Sequence, residues 1–271
     1  MQCVRTIEQW PVENAATVVV AAGGEIVGAH GDSDRRFALA SVTKLLTAFA
    51  VLVAVEEGVL ELDDSAGPAG STVRHLLAHA SGLDAAQRTV RAAPGVRRIY
   101  SNAGFEVLAE TVADRSGIPF PEYVHEALLV PLAMGSTTVA GSPAAGAVST
   151  AADLARFAAE LQRPTLLDPS TLAAATVVAY PDLAGVLPGL GRQRPNDWGL
   201  GFEIRDGKHP HWTGATSAPG TFGHFGQSGT FLWVDPSAQL ACVVLTDRDF
   251  GPWAAQAWPV YTDAVLAERR G

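Results

Sequence analysis

Ala40-Ser41-Val42-Thr43-Lys44 opens the apolar run Leu45 to Val55, and how this stretch is read decides the fold. Leu45, Leu46, Phe49, Val51, Leu52, Val53 and Val55 leave no polar face, and a helix apolar all round belongs in a core. Lys44 therefore sits at the dry end of a buried helix, on the same face as Ser41 three residues earlier. Burial lowers a lysine pKa, and a lysine so tuned can take a proton from a serine. A plainer reading makes Ser41 an N-cap and Lys44 a snorkelling surface residue. Lysine use bears on the choice. Only Lys44 and Lys208 are lysines among 19 basic residues, so arginine is the default cation. Lysine stands where a cation that cannot be deprotonated would be useless.

The bulk properties narrow the class. The chain has 271 residues, 48% hydrophobic and 17% charged, which describes a compact folded protein with a sizeable core. A net charge of -9 with no basic cluster argues against a nucleic-acid partner. No apolar run is long enough to cross a bilayer, and Met1 to Asn14 does not read as a secretory leader. Cys3 and Cys242 form no disulfide framework or metal spacing. The expectation is a cytoplasmic protein with reduced thiols, no membrane partner, no metal and no cofactor. The sequence assigns no oligomeric state.

Strand signals lie at both ends. Thr17 to Ala22 and Glu25 to Ala29, joined at Gly23-Gly24, read as a hairpin. The buried helix stops at Gly58. Asp63 to Ser71 is loop. Thr72 caps a short helix from Val73 to His79. Helices are expected over Ala103 to Arg115, Pro121 to Leu129, Ala151 to Leu161 (capped by Ser149 or Thr150) and Ser170 to Ala179. Strands return as Trp198 to Ile204, Thr221 to Gly226, Thr230 to Val234 and Leu240 to Thr246. A C-terminal helix follows, from Trp253 to Arg269. The expected fold class is α+β: an antiparallel sheet built from both chain ends and flanked by helices, with a mainly helical insertion. Residues 1–60 with 195–271 would make the sheet domain and residues 61–194 the helical domain. An active site would lie in the cleft between them.

Three motifs stand in order at wide separation: Ser41-Val42-Thr43-Lys44, then Tyr100-Ser101-Asn102, then His224-Phe225-Gly226 leading to Gln227-Ser228-Gly229-Thr230. In this order they resemble the serine β-lactamase and penicillin-binding-protein superfamily. The closest likeness is to its class C-like branch, which includes esterases and D-aminopeptidases. His75-Leu76-Leu77-Ala78-His79-Ala80-Ser81-Gly82-Leu83 also looks like a stretch of that branch. The resemblance implies a β-lactamase/transpeptidase-like fold and a serine hydrolase working through an acyl-enzyme. It makes Ser41 the nucleophile, aided by the positive end of its helix. Lys44 and Tyr100 become base and proton shuttle, and the backbone N–H groups of Ser41 and Gln227 the oxyanion hole. Asn102 holds the substrate's acyl side chain or positions Lys44. A tyrosine of ordinary pKa, about 10, needs a cation such as Lys44 beside it to help near neutral pH.

The third motif departs from the lysine-threonine-glycine of lactamases, whose first two side chains bind a substrate carboxylate. His224 carries at most partial charge near neutral pH, and Phe225 has no hydroxyl. That favours a neutral ester, amide or peptide-like small molecule, esters first, over β-lactams or D-amino-acid peptides. A catalytically silent binding protein on the same fold is the alternative of another class. Individually, Tyr100 could be core, Asn102 a helix cap and His224 a cross-sheet hydrogen bonder. His75 and His79 have zinc-ligand spacing but lack the zincin glutamate, so His79 reads as buried and structural. The glycines of Trp198-Gly199-Leu200-Gly201-Phe202 lack a dinucleotide pattern and suit close packing. No glycine-x-serine-x-glycine elbow is present. Asp153, Arg156 and Glu160 read as a solvated helix face.

Overall fold

The computed structural model describes residues 1–270. Six strands form one antiparallel sheet: β1 (Ala15–Ala21), β2 (Ile26–Gly31), β7 (Glu203–Ile204), β8 (Phe222–Gly226), β9 (Thr230–Asp235) and β10 (Leu240–Thr246). Their order is β2-β1-β10-β9-β8-β7, so the two ends of the chain meet where β1 pairs with β10. The period of two along each strand sorts residues between two cores. Ala241, Val243 and Leu245 of β10 face the larger, with Val18 and Val20 of β1. Leu240, Cys242 and Val244 face the smaller, with Val19. β10 is thus buried on both faces, which is why it reads as a continuous apolar run.

The C-terminal helix α7 (Pro252–Arg270) covers the smaller core with Trp258, Tyr261, Val265 and Leu266. On the other face, α1 (Thr43–Glu56) fills the larger core, with every residue from Thr43 to Ala54 buried. Gly58 follows it with φ +72°, a left-handed stop. Around α1 pack α2 (Val73–Leu77), α3 (Asn102–Ser116), α4 (Phe120–Val124), α5 (Ala151–Glu160) and α6 (Pro169–Ala175). Two pairs of very short strands complete the chain, β3 (Phe37–Ala38) with β4 (Val148–Ser149), and β5 (Gly185–Leu187) with β6 (Gly191–Gln193).

Several local readings are corrected. The helix expected over Pro121 to Leu129 is α4 followed by a π-turn over His125–Leu129. The one expected to reach Ala179 ends at Ala175, where the chain turns to give Ala175 O to Leu200 N. The strand expected from Trp198 shrinks to Glu203–Ile204. Its glycines do serve close packing, against helices: a Cβ on Gly201 would fall 2.1 Å from Ala48 Cβ on α1, and one on Gly199 2.1 Å from Ala175 O. The solvated face on α5 is wrong for two of its three residues. Asp153 accepts from Ser136 N (2.9 Å) and Thr137 Oγ1 (2.8 Å), and Glu160 from the N–H groups of Thr165 (2.7 Å) and Leu166 (2.8 Å). Both carboxylates are buried loop anchors. Their loops come from outside the helix, so no helical period announces them.

Candidate active site

Ser41 lies on a 3₁₀ turn, Ala40–Val42, that leads into α1. Ala40 has φ +43°, a left-handed conformation that costs a residue with a Cβ about 1 kcal/mol or more. The sheet holds this turn in place. Thr230 Oγ1 donates to Leu39 O (2.9 Å), Ser228 Oγ donates to Ala38 O (2.6 Å), and Leu39 N donates to Ala147 O (2.9 Å). Gly226 completes the seat, since a Cβ there would lie 2.2 Å from Leu39 O. Ser41 caps nothing, as no side-chain bond closes the start of α1. Its Oγ instead meets Lys44 Nζ at 3.2 Å and accepts from the Tyr100 hydroxyl at 2.7 Å.

Lys44 is fully buried. Its Nζ donates to Asn102 Oδ1 (2.6 Å) and Ala144 O (2.8 Å) and lies over the Tyr100 ring, 4.7 Å from its centroid. Burial pulls its pKa well below the ordinary 10.5, with the nearby Glu106 opposing only in part. A neutral amine has two N–H groups and one lone pair. Asn102 Oδ1, Ala144 O and Ser41 Oγ surround Nζ, so an amine that gives its two hydrogens to the first two turns its lone pair to the serine. Burial also raises the Tyr100 pKa well above the usual range, with the bond to Ser41 opposing. Burial thus pushes both groups the same way, toward an amine beside a protonated phenol, and away from the lysine cation expected to help ionise Tyr100.

The loop from Gly82 to Asp84 and the segment before α3 position Tyr100 and Asn102. Ser101, not Asn102, caps α3, accepting from Gly104 N (3.0 Å) while its Oγ donates to Asp84 O (2.6 Å). Asn102 N donates to Ala85 O (2.7 Å), and its side chain is left for Lys44. His79 is buried, and its Nδ1 accepts from Ser101 N (3.1 Å). Its ring packs 4.7 Å from that of Tyr100 and 4.6 Å from that of Trp198. Buried Arg98, two residues before Tyr100, donates to the carbonyls of Ala78, Ala179, Tyr180 and Asn196.

Ser41, Tyr100, Asn102, His224 and Gln227 line one cavity of about 190 Å³, walled by Leu187, Pro188, Trp198, Phe225 and Glu203. The structure thus brings together the residues of all three motifs. Gly226 supports from behind and does not line the space. Sequence reasoning missed four contributors: Trp198, the Leu187-Pro188 corner, Glu203 and the Ala144 carbonyl. Trp198 is legible in the sequence only as the start of a strand and for its neighbouring glycines. A backbone carbonyl carries no residue-type signal at all. Glu203 is held near pKa 2, because the His211 and Lys208 charges and hydrogen bonds outweigh the raising effect of burial. It also accepts from Trp212 Nε1 at 2.6 Å. Lys208, the second lysine, is thereby spent on Glu203. His224 makes no cross-sheet bond with its side chain; burial pushes its pKa down to about 3, with Lys44 adding to the effect. No Lys or Arg lines the cavity. Among the described residues no group of three or more His, Cys, Asp or Glu could hold a metal, and no helix is long and apolar enough to cross a membrane.

A crystal structure of a β-lactamase from Mycobacterium bovis is 57% identical, covers 98% of this chain and 99% of that one, and superposes with a TM-score of 0.97. EstCE1, a hydrolase with promiscuous acyltransferase activity, shares the fold at 18% identity and TM-score 0.78, over 98% of this chain and 97% of its own. Among curated proteins, the D-alanyl-D-alanine-carboxypeptidase/endopeptidase AmpH of Escherichia coli (strain K12) is 30% identical over 142 residues, 39% of this chain and 37% of that protein. Penicillin-binding protein 4* of Bacillus subtilis (strain 168) is 26% identical over 45% of this chain and 37% of its own length. The chain thus matches little more than a third of those two relatives. The sequence model of the Beta-lactamase family matches residues 5–267, nearly the whole chain, so the protein belongs to that family.

Proposed function

We propose that the protein hydrolyses small neutral esters through an acyl-enzyme on Ser41. The observation that carries this is the hydrogen-bond order around the serine. Tyr100 donates into Ser41 Oγ at 2.7 Å, and Lys44 Nζ lies 3.2 Å from the same oxygen, near enough for a deprotonated lysine to take the serine proton. Ser41 Oγ, as its proton passes to Lys44, attacks the substrate carbonyl. The N–H groups of Ser41 and Gln227 receive the oxyanion, at typically ~3–4 kcal/mol for each donor. The Tyr100 hydroxyl protonates the leaving alkoxide and is re-protonated by the Lys44 ammonium. Water then releases the acyl group by the same steps reversed. Asn102 orients Lys44. The neutral His224 and the lack of a cation on the cavity wall support a substrate without a carboxylate.

Ser41→Ala should abolish hydrolysis of activated short-chain esters and labelling by a fluorophosphonate. Turnover at the parent rate in that variant would overturn the proposal. A second reading, β-lactam hydrolysis, is favoured by the 57% identity to the M. bovis protein. A chromogenic cephalosporin separates the two, and little or no turnover is expected.

A further inference from the structure

His224 sits where the family's carboxylate-binding lysine would stand, and its two ring nitrogens can be told apart. Nδ1 lies 2.6 Å from Phe225 O. A carbonyl only accepts, so Nδ1 carries the hydrogen. The ring is neutral, as argued above. Nε2 therefore has a bare lone pair. It is buried and has no hydrogen-bond partner, and the residue is 4% exposed on the wall of the Ser41 cavity. An unpaired buried acceptor is unfavourable unless a donor reaches it. Trp198, 5.3 Å away between ring centroids, likewise carries an unpaired buried Nε1–H on the same wall.

We propose that His224 Nε2 is a hydrogen-bond acceptor kept for the substrate, so that preferred acyl donors carry a hydroxyl or amide N–H within a few bonds of the scissile carbonyl. The polarity of this position is then the reverse of a carboxylate-binding lysine. A hydroxyl suits it best, because it can also accept, as from Trp198 Nε1. This inference rests on the esterase reading above and narrows its substrate class.

The test compares p-nitrophenyl 3-hydroxybutyrate with its 3-fluoro counterpart, which keeps nearly the same size and removes the donor. The parent should favour the hydroxy ester in kcat/KM by about tenfold. His224→Phe should bring the ratio to near one, and His224→Gln, whose amide oxygen still accepts, should retain part of it. Each ratio is taken on one enzyme sample, so a change in the folded fraction cancels. Equal turnover of the two esters by the parent, or an unchanged preference in His224→Phe, overturns the proposal. A second measurement does not depend on turnover. The ¹⁵N–¹H spectrum of His224, assigned by difference with His224→Phe, should show a protonated Nδ1 and a bare Nε2 near neutral pH. A protonated Nε2 overturns the acceptor role. If neither ester is hydrolysed in a Ser41-dependent way, the esterase reading fails, and this spectrum alone decides the acceptor claim.

Discussion

Lys44→Met removes one buried titratable amine while keeping an unbranched chain of similar length, and it should separate the lysine's charge state from its packing. Above the ordinary lysine value of 10.5, folded and unfolded chains both carry the neutral amine and pH has no effect through this group. Below it, the unfolded chain takes up a proton that the folded chain, with its depressed pKa, does not. The unfolded state then binds more protons, so stability falls as pH falls, by up to about 1.4 kcal/mol per unit, until the folded pKa is reached. Burial is the main cause of the depression, and Glu106 opposes it. Urea unfolding of the parent and of Lys44→Met between pH 7 and 10 would measure this. Two pH units inside the window should change the gap between the two proteins by as much as ~2.7 kcal/mol. The absolute stability of the variant is a poorer readout, since Asn102 Oδ1 and Ala144 O lose their donor. The slope difference belongs to Lys44, because other groups titrate in both proteins. Parallel pH profiles would mean that Lys44 is an ordinary ammonium in the folded state, and its role as proton acceptor from Ser41 would fail.

Tyr100→Phe removes the 2.7 Å bond to Ser41 Oγ but keeps the ring contacts with Lys44, His79 and Trp198. Ester kcat/KM should drop about 10²–10⁴-fold with less than ~1 kcal/mol change in unfolding free energy, and a loss under tenfold would remove Tyr100 from proton transfer. Gly226→Ala would put a methyl 2.2 Å from Leu39 O and 2.5 Å from Thr230 Oγ1. It should cost about 1–3 kcal/mol in urea unfolding and slow fluorophosphonate labelling of Ser41, whereas parent-like labelling would show that the turn does not need this seat.

Features with a local cause were legible in the sequence. Leu45 to Val55 has no polar face, so α1 had to be core, and Leu240 to Thr246 read as a strand, its burial on both faces coming from the fold. The fold class followed from strand signals at both ends and helix signals between them. The motif residues were legible because their chemistry depends on residue type: a serine, a lysine and a tyrosine cannot be exchanged freely. What stayed hidden is tertiary. The second N–H of Lys44 goes to Ala144 O, and a carbonyl looks alike at every position. Asp153 and Glu160 lie on a helix that reads as amphipathic, yet both are sunk by loops that fold over them. Trp198 to Phe202 alternates like a strand, but contact with Ala48 and with Ala175 O sets its path.

The lowered pKa of Lys44 was legible from its buried helix, whereas the raised pKa of Tyr100 was not, because contacts distant in the chain bury it. The resemblance pairs Lys44 with Tyr100 as cation and phenol. Folding removes both from water, with no carboxylate in hydrogen-bond contact with Lys44, so burial pushes both toward their neutral forms. The proposed order of proton transfers rests on that shift. A charged lysine has three hydrogens and nothing with which to accept a fourth. A neutral amine, with two hydrogens given to Asn102 and Ala144, would face the serine with its lone pair. The same dryness disarms His224 as a cation and leaves Nε2 as an acceptor. One physical cause, desolvation at the mouth of α1, thus lowers the pKa of Lys44 and of His224 alike, and the proposed activation of the serine and the proposed neutral substrate both rest on it.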